Sequence, residues 1–305
     1  MRNSLVPAVA LLLSLLSACA GPPREGCGLT ASRELPLSPL GPFRGVPSTI
    51  NGVPALLVVD TGAGHTVISD GTARRAGVVP DLQRLVRSTG IGGTSVFPTG
   101  QVERMSLGGV PVLRPVVTIM PGVPIADGNL GMDILGDADL DIDMPAGRLT
   151  LHHGRLCPDE APPWTARATE LETVAQEPRA ASPAARPRLL LAVMELDGRQ
   201  ALAMLDTGAG RSVVSRAFVG RLGVDAAALA QRPGVVIAGL STETGEGRIW
   251  QFGQARIGSD ILPAPALVVA DLHGAAFDVL LGMDYLGQRR VWISYGARRI
   301  LVARP

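Results

Sequence analysis

The pentapeptide Asp-Thr-Gly-Ala-Gly occurs twice in this chain, at residues 60–64 and 206–210, each time at the end of an apolar run and just ahead of Val-Ile-Ser or Val-Val-Ser. Such a repeat constrains the fold before any other feature does, because copies of one unit must bury their apolar faces against each other or within themselves. The register extends well beyond five residues. Asn51-Gly52 lies nine positions before Asp60 and Asp197-Gly198 nine before Asp206, and Ala76-Gly77-Val78 matches Leu222-Gly223-Val224 at the same offset of 146 (60 to 206). Further on, Leu130-Gly131-Met132-Asp133-Ile134-Leu135-Gly136 recurs as Leu281-Gly282-Met283-Asp284-Tyr285-Leu286-Gly287, with the offset grown by five to 151 (133 to 284). Surface loops tolerate such an insertion. The chain reads as a tandem duplication of a unit of about 110 residues.

Each unit has the punctuation of a strand-rich domain. Asn-Gly between apolar runs is a strong hairpin signal, and Asp197-Gly198 repeats it between 189–196 and 200–205. After each Asp-Thr-Gly come another strand and a short helical stretch, 71–76 and 216–222, closed by Gly. Gly-rich segments at 90–93 and 239–247 suit mobile hairpins, and each unit ends in a Gly-Met-Asp helix start and a final hairpin, 140–151 and 291–302. The expected fold class is all-β with short helices, in two units at 43–155 and 188–305. Residues 20–42 read as a Pro- and Gly-rich tether, and 156–187 as a linker with Pro158, Pro162, Pro163, Pro178, Pro183 and Pro187 and a short helical piece at 166–176. A linker of that length lets the two units face each other within one chain.

With 305 residues, 46% hydrophobic and 18% charged, the chain supports two cores and excludes global disorder. All 28 basic residues are Arg, and a net charge of +1 without a basic cluster gives no reason to expect nucleic acid. Residues 5–16, after Arg2, are apolar and too short for a stable membrane span, the shape of an export signal at 1–19. Leu16-Ser17-Ala18-Cys19 resembles a bacterial lipobox, which would lipidate Cys19 and anchor the protein in the envelope facing the periplasm. The alternative is a soluble secreted or periplasmic protein cut after Ala20. Cys27 and Cys157 flank the first unit, and in an exported protein a disulfide between them would clamp its ends; two unpaired thiols are the alternative.

A carboxylate at the end of a buried apolar strand carries a desolvation cost that packing alone does not offset. Thr61 and Thr207 can hydrogen-bond across a two-fold axis, while Gly62 and Gly208 let backbone N–H groups face the carboxylates. If the two loops meet, Asp60 and Asp206 cannot both ionise and share a proton. The bland alternative is a pair of Asx-type turns capping strand ends. Asp133 and Asp284 read as first-turn helix residues complementing the helix dipole. His152 and His153 lack a partner at metal-ligand spacing and read as surface residues, and His65 and Arg211 as solvated side chains beside the loops. Asp137, Asp139, Asp141 and Asp143 alternate as one solvated strand face would, without the Gly of a calcium loop. Neither a metal nor a cofactor is expected.

The apolar runs, Asp-Thr-Gly-Ala, the Gly-rich hairpin and the late apolar-apolar-Gly-x-Asp together resemble the retropepsin-type aspartic proteases, including bacterial and DNA-damage-inducible relatives, over both units. The resemblance implies Asp60 and Asp206 as a catalytic pair acting on one water, supported by Thr61, Gly62, Ala63, Thr207, Gly208 and Ala209. It places flaps at 89–97 and 237–248, with Gly90, Ile91, Gly92, Gly93, Gly239 and Leu240 toward substrate. Met132 and Met283 stand where retroviral members carry Arg, so the match is closer to the DNA-damage-inducible branch. One chain supplies both halves, as in pepsin-like enzymes, which implies a monomer with an internal pseudo-dimer. The activity implied is hydrolysis of peptide bonds in an extended polypeptide bound by strand addition. Two competing expectations are a non-catalytic peptide-binding lipoprotein and a glycosidase, whose carboxylates would stand about 5–9 Å apart.

Overall fold

The computed structural model describes residues 27–91, 93–121, 126–164, 167–176, 189–239 and 244–303. The segments 1–19 and Cys19 lie outside them. Asn51 and Gly52 turn the chain at φ of 49° and 86°, and Asp197 and Gly198 at 49° and 76°, the left-handed pair that a two-residue hairpin requires. They join Phe43–Ile50 to Val53–Val59 and Leu189–Leu196 to Arg199–Leu205. Each turn is fastened from its side chain: Asn51 Oδ1 accepts the N–H groups of Glu103 and Arg104, and Asp197 Oδ1 those of Gly253 and Gln254.

Each unit builds a ten-stranded sheet with the same strand order. In the first it runs Pro80–Gly90, Gly93–Gln101, Val116–Met120, Val67–Ser69, Gly128–Leu130, Val53–Val59, Phe43–Ile50, Met105–Leu107, Val110–Val112, with the tenth strand, Ser38–Leu40, paired to Phe43–Ile50 off that path. The second repeats it from Gly234–Ala238 to Asp260–Pro263. Ser69 and Ser215 end a strand and cap the next helix, Asp70–Arg75 or Arg216–Arg221, each Oγ accepting a backbone N–H three residues on. Helices Met132–Leu135 and Met283–Leu286 follow the late glycines, and a further helix, Ala226–Ala230, lies in the stretch where the second copy is longer. Among the described residues no helix is long and apolar enough to cross a membrane.

The final hairpins of the two units join in one six-stranded sheet, in the order Gly28–Pro36, Arg148–Arg155, Asp139–Asp143, Arg290–Ser294, Arg299–Ala303, Ala168–Leu171. Leu140 pairs with Ile293 and Ile142 with Val291 across the seam. A single apolar cluster runs from Leu57 and Leu130 in the first unit through Ile142 and Val291 to Leu205 and Phe218 in the second.

Four sequence expectations are corrected here. Much of the expected tether, at Gly28–Pro36 and Ser38–Leu40, is strand, held by main-chain pairing to Arg148–Arg155 and Phe43–Ile50. Its composition hid it because Leu35 is the one buried side chain of the first of these strands. Within the expected linker, the helical piece at 166–176 is replaced, over its described part, by Ala168–Leu171 and Thr173–Gln176, which pair with Arg299–Ala303 and Leu189–Leu196. Asp139 and Asp141 are 2% and 3% exposed rather than solvated. Asp139 accepts from Ser294 Oγ at 2.7 Å and Leu156 N at 2.9 Å, while Arg290 clasps Asp141 through Nε and Nη2 at 2.8 and 2.6 Å. His152 is buried too, 4.6 Å from the Trp292 ring and bonded to Ser32 Oγ at 2.7 Å; His153 is exposed. The physical reason is a cover: Leu156 and Trp164, from the expected linker, pack over Trp292 and Leu301. Cys27 and Cys157 form a disulfide with Cα atoms 5.1 Å apart, tying the first strand to the start of that cover.

Candidate active site

Asp60 and Asp206 leave the ends of Val53–Val59 and Arg199–Leu205, where each N–H donates to a carbonyl of the parallel neighbour strand: Leu130 at 3.1 Å and Leu281 at 2.9 Å. The next residue there must be glycine. A Cβ on Gly131 would fall 2.4 Å from the carbonyl carbon of His65, and one on Gly282 2.6 Å from that of Arg211. Past these glycines, Met132 N and Met283 N donate to Ala63 O and Ala209 O, both at 2.8 Å, closing the loops from the far side. Asp133 accepts from Thr66 N at 2.8 Å and Thr66 Oγ1 at 2.6 Å, and Asp284 from Ser212 N at 2.9 Å and Ser212 Oγ at 2.6 Å. Both aspartates do stand in a first helical turn, as expected, but their partners show a second job: each lashes its helix to the loop of its own unit, Asp133 to the loop that begins at Asp60 and Asp284 to the loop that begins at Asp206.

The two loops meet. Thr61 Oγ1 donates to Leu205 O and Thr207 Oγ1 to Val59 O, both at 2.7 Å, and each hydroxyl accepts the other threonine's N–H at 3.1–3.2 Å. A Cβ on Gly62 would lie 2.4 Å from Asp206 Cγ, and one on Gly208 2.3 Å from Asp60 Cγ. Each glycine is therefore the floor on which the opposite carboxylate rests. The carboxylates are in hydrogen-bond contact, at 4% and 9% exposure. That contact leaves no gap of the width a glycosidase pair uses.

Asp60 Oδ1 accepts the N–H groups of Gly62 at 3.1 Å and Ala63 at 2.9 Å, and Asp206 Oδ1 that of Gly208 at 2.8 Å. Asp60 Oδ2 has a further partner that the sequence reading missed, Asn129 Nδ2 at 2.6 Å. The available signal was a lone amide in an apolar strand, standing where the second copy has Leu280. Burial pushes both carboxyls above their ordinary values. Asn129 and the loop N–H groups restrain Asp60, whereas the charge of Asp60 lifts Asp206 further, well above its ordinary value. Two acids so placed can share one proton, an arrangement that offers one base and one acid at the same spot.

Of the residues expected to form flaps, Gly90, Ile91 and Gly93 lie at the turn joining Pro80–Gly90 to Gly93–Gln101, and Gly239 follows Gly234–Ala238; Gly92 and Leu240 fall outside the described residues. The turn of the first hairpin meets the second hairpin at Gly239 and Gly245. A Cβ on Gly245 would lie 2.7 Å from Ile91 Cγ2, and Ile91 packs against the cluster of Met204, Val213 and Leu280 beside Asp206. His65 is half-buried and Arg211 exposed, and neither is among the hydrogen-bond partners of the two carboxylates.

Comparison with known proteins agrees with this geometry. The "Aspartyl protease" family model matches residues 46–134, and the "gag-polyprotein putative aspartyl protease" model matches residues 192–288. Comparison with curated proteins finds no significant match. Among solved structures, the aspartic proteinase from Irpex lacteus superposes with a TM-score of 0.52 at 12% identity, covering 90% of this chain and 97% of its own. At that identity the likeness speaks for the fold. Each half of the chain thus matches an aspartyl protease family, and the whole carries the aspartic-protease fold.

Proposed function

We propose that the protein is a retropepsin-like aspartic endopeptidase whose single site is shared by the two halves of one chain. The observation that supports this most is the contact of two buried carboxylates on matched loops, each seated on the other loop's glycine. In the reaction, the ionised carboxylate takes a proton from water as the water oxygen bonds to the peptide carbonyl carbon, and the protonated carboxyl gives its proton to the carbonyl oxygen. Collapse of the resulting diol returns a proton to the amide nitrogen, breaks the C–N bond and restores the shared proton. Water and peptide are consumed, and a carboxylic acid and an amine leave.

The substrate is an extended polypeptide lying between the carboxylates and the two hairpins, which offer strand edges for main-chain pairing. The lipobox-like Leu16-Ser17-Ala18-Cys19 supports a place in a bacterial envelope, lipid-anchored and facing the periplasm. A non-catalytic peptide binder would have no need of two buried acids in contact, which cost stability. The test is digestion of a peptide library in 18O-water, read by mass spectrometry. New C-termini carrying one 18O, absent with Asp60→Asn, are expected; failure of the native protein to cleave any peptide between pH 3 and 8 overturns the proposal.

A further inference from the structure

The duplication supplies an internal control for every residue around the carboxylates. Thr61 has its counterpart in Thr207, and Thr66 with Asp133 in Ser212 with Asp284. Asp127, which accepts from Leu56 N and Arg75, has its counterpart in Asp278, which accepts from Leu202 N and Arg221. Among the described residues the side-chain supports are thus doubled, with one exception in contact with the pair. Asn129, in the middle of Gly128–Leu130, is buried and reaches Asp60 Oδ2 at 2.6 Å; Leu280, in the middle of Val279–Leu281, packs with Met204 and Val213.

An amide N–H held against a carboxylate oxygen favours the charged form, because a carboxylate can only accept while a carboxylic acid must also donate. Leucine offers nothing to either form. Around Asp60 three donors converge, from Gly62, Ala63 and Asn129, whereas Asp206 has the loop N–H groups alone besides its contact with Asp60. Burial makes this imbalance count, since a missing donor to a charge is felt more strongly away from water. We propose that Asn129 is the positioning residue that makes Asp60 the ionised member of the pair and leaves the shared proton on Asp206. In its catalytic consequence this rests on the peptidase reading: Asp60 is the base toward water and Asp206 the acid toward the carbonyl.

Two carboxyl reagents read the proton without any peptide turnover. An epoxide is opened by an ionised carboxylate, forming an ester while the ring oxygen takes a proton from solvent. A diazoacetyl ester takes the proton of a carboxylic acid, and the carboxylate then displaces dinitrogen to form the ester. In the native protein, peptide mapping should find the epoxide on Asp60 and the diazoacetyl group on Asp206. Asn129→Leu should remove the epoxide's preference and move the acid limb of the kcat/KM profile up by about one pH unit or more, the size of one lost hydrogen bond to a buried charge. The double variant Asn129→Leu, Leu280→Asn should transfer the epoxide to Asp206. Should Asn129→Leu not fold, Leu280→Asn alone should divide the epoxide between both aspartates. An epoxide that stays on Asp60 in these variants with an unmoved acid limb, or native carboxyls that react with neither reagent, would overturn the assignment. Selective labelling of Asp60 in a protein that cleaves nothing would instead count against the peptidase reading alone.

Discussion

Thr61 and Thr207 exchange hydrogen bonds across the pseudo-two-fold axis, each hydroxyl donating at 2.7 Å to the carbonyl that precedes the other loop's aspartate and accepting the other threonine's N–H. The two halves are therefore locked at the one place where misalignment would separate the carboxylates. Thr207→Val keeps the shape of the side chain but strands Val59 O and Thr61 N in a buried setting, at a cost of about 1–3 kcal/mol. Thermal unfolding should show the loss, and kcat should fall with it; an unchanged melting temperature would contradict the locking role.

Gly208 lies against Asp60 so closely that an added Cβ would sit 2.3 Å from Asp60 Cγ. Gly208→Ala must therefore displace the carboxylate, and a shift of about 1 Å in a reacting group costs on the order of 100-fold in rate. Gly64, where an added Cβ meets nothing within 4 Å, is the control. Peptidase assays on Gly208→Ala and Gly64→Ala should separate widely, and equal activities would contradict the close seating.

Asp206 is raised well above its ordinary value of 3.8 by burial and by the charge of Asp60. The sign follows from linkage: the unfolded chain ionises near 3.8 while the folded site keeps its proton to higher pH, so stability declines as pH rises through that window. Asp206→Asn removes the ionisation and should raise the melting temperature at pH 7 but not at pH 3. A stability loss at pH 7 that matches the loss at pH 3 would contradict it.

Much of the fold was legible because repeated signals have local causes. The Asn51-Gly52 and Asp197-Gly198 turns, the serines that end a strand and cap a helix, and the glycines at 131 and 282 all follow from steric demands that a few residues can display. The final hairpins were legible too, but the outer strands of the six-stranded sheet, Gly28–Pro36 and Ala168–Leu171, read as tether and helix in the sequence because their partners lie far along the chain. Gly28–Pro36 has little apolar alternation of its own, and Asp139, Asp141 and His152 look like surface residues until Leu156 and Trp164 are folded over them. In the site, the aspartates and threonines announce themselves twice, while Asn129 is visible as a difference between the copies.

The seam of that sheet makes its own prediction. Burial alone would raise the carboxyl of Asp141, but Arg290, with help from His152, outweighs it and holds the group below the usual range. Arg290→Ala leaves a buried carboxylate without its clasp and should cost about 3 kcal/mol near neutral pH. The stabilisation by a lowered carboxyl is present above its unfolded value and lost as pH falls through the folded one, so the deficit should shrink in acid. Denaturant unfolding at pH 7 and pH 3 checks this, and an equal deficit at both would contradict it.

The most direct test of the account is to assay Asp60→Asn, Asp206→Asn and an equimolar mixture of the two for peptide cleavage. One site built from both halves of a single chain predicts no activity in either variant, and none regained on mixing. Cleavage by either variant, or recovery in the mixture through exchange of halves between molecules, would contradict it.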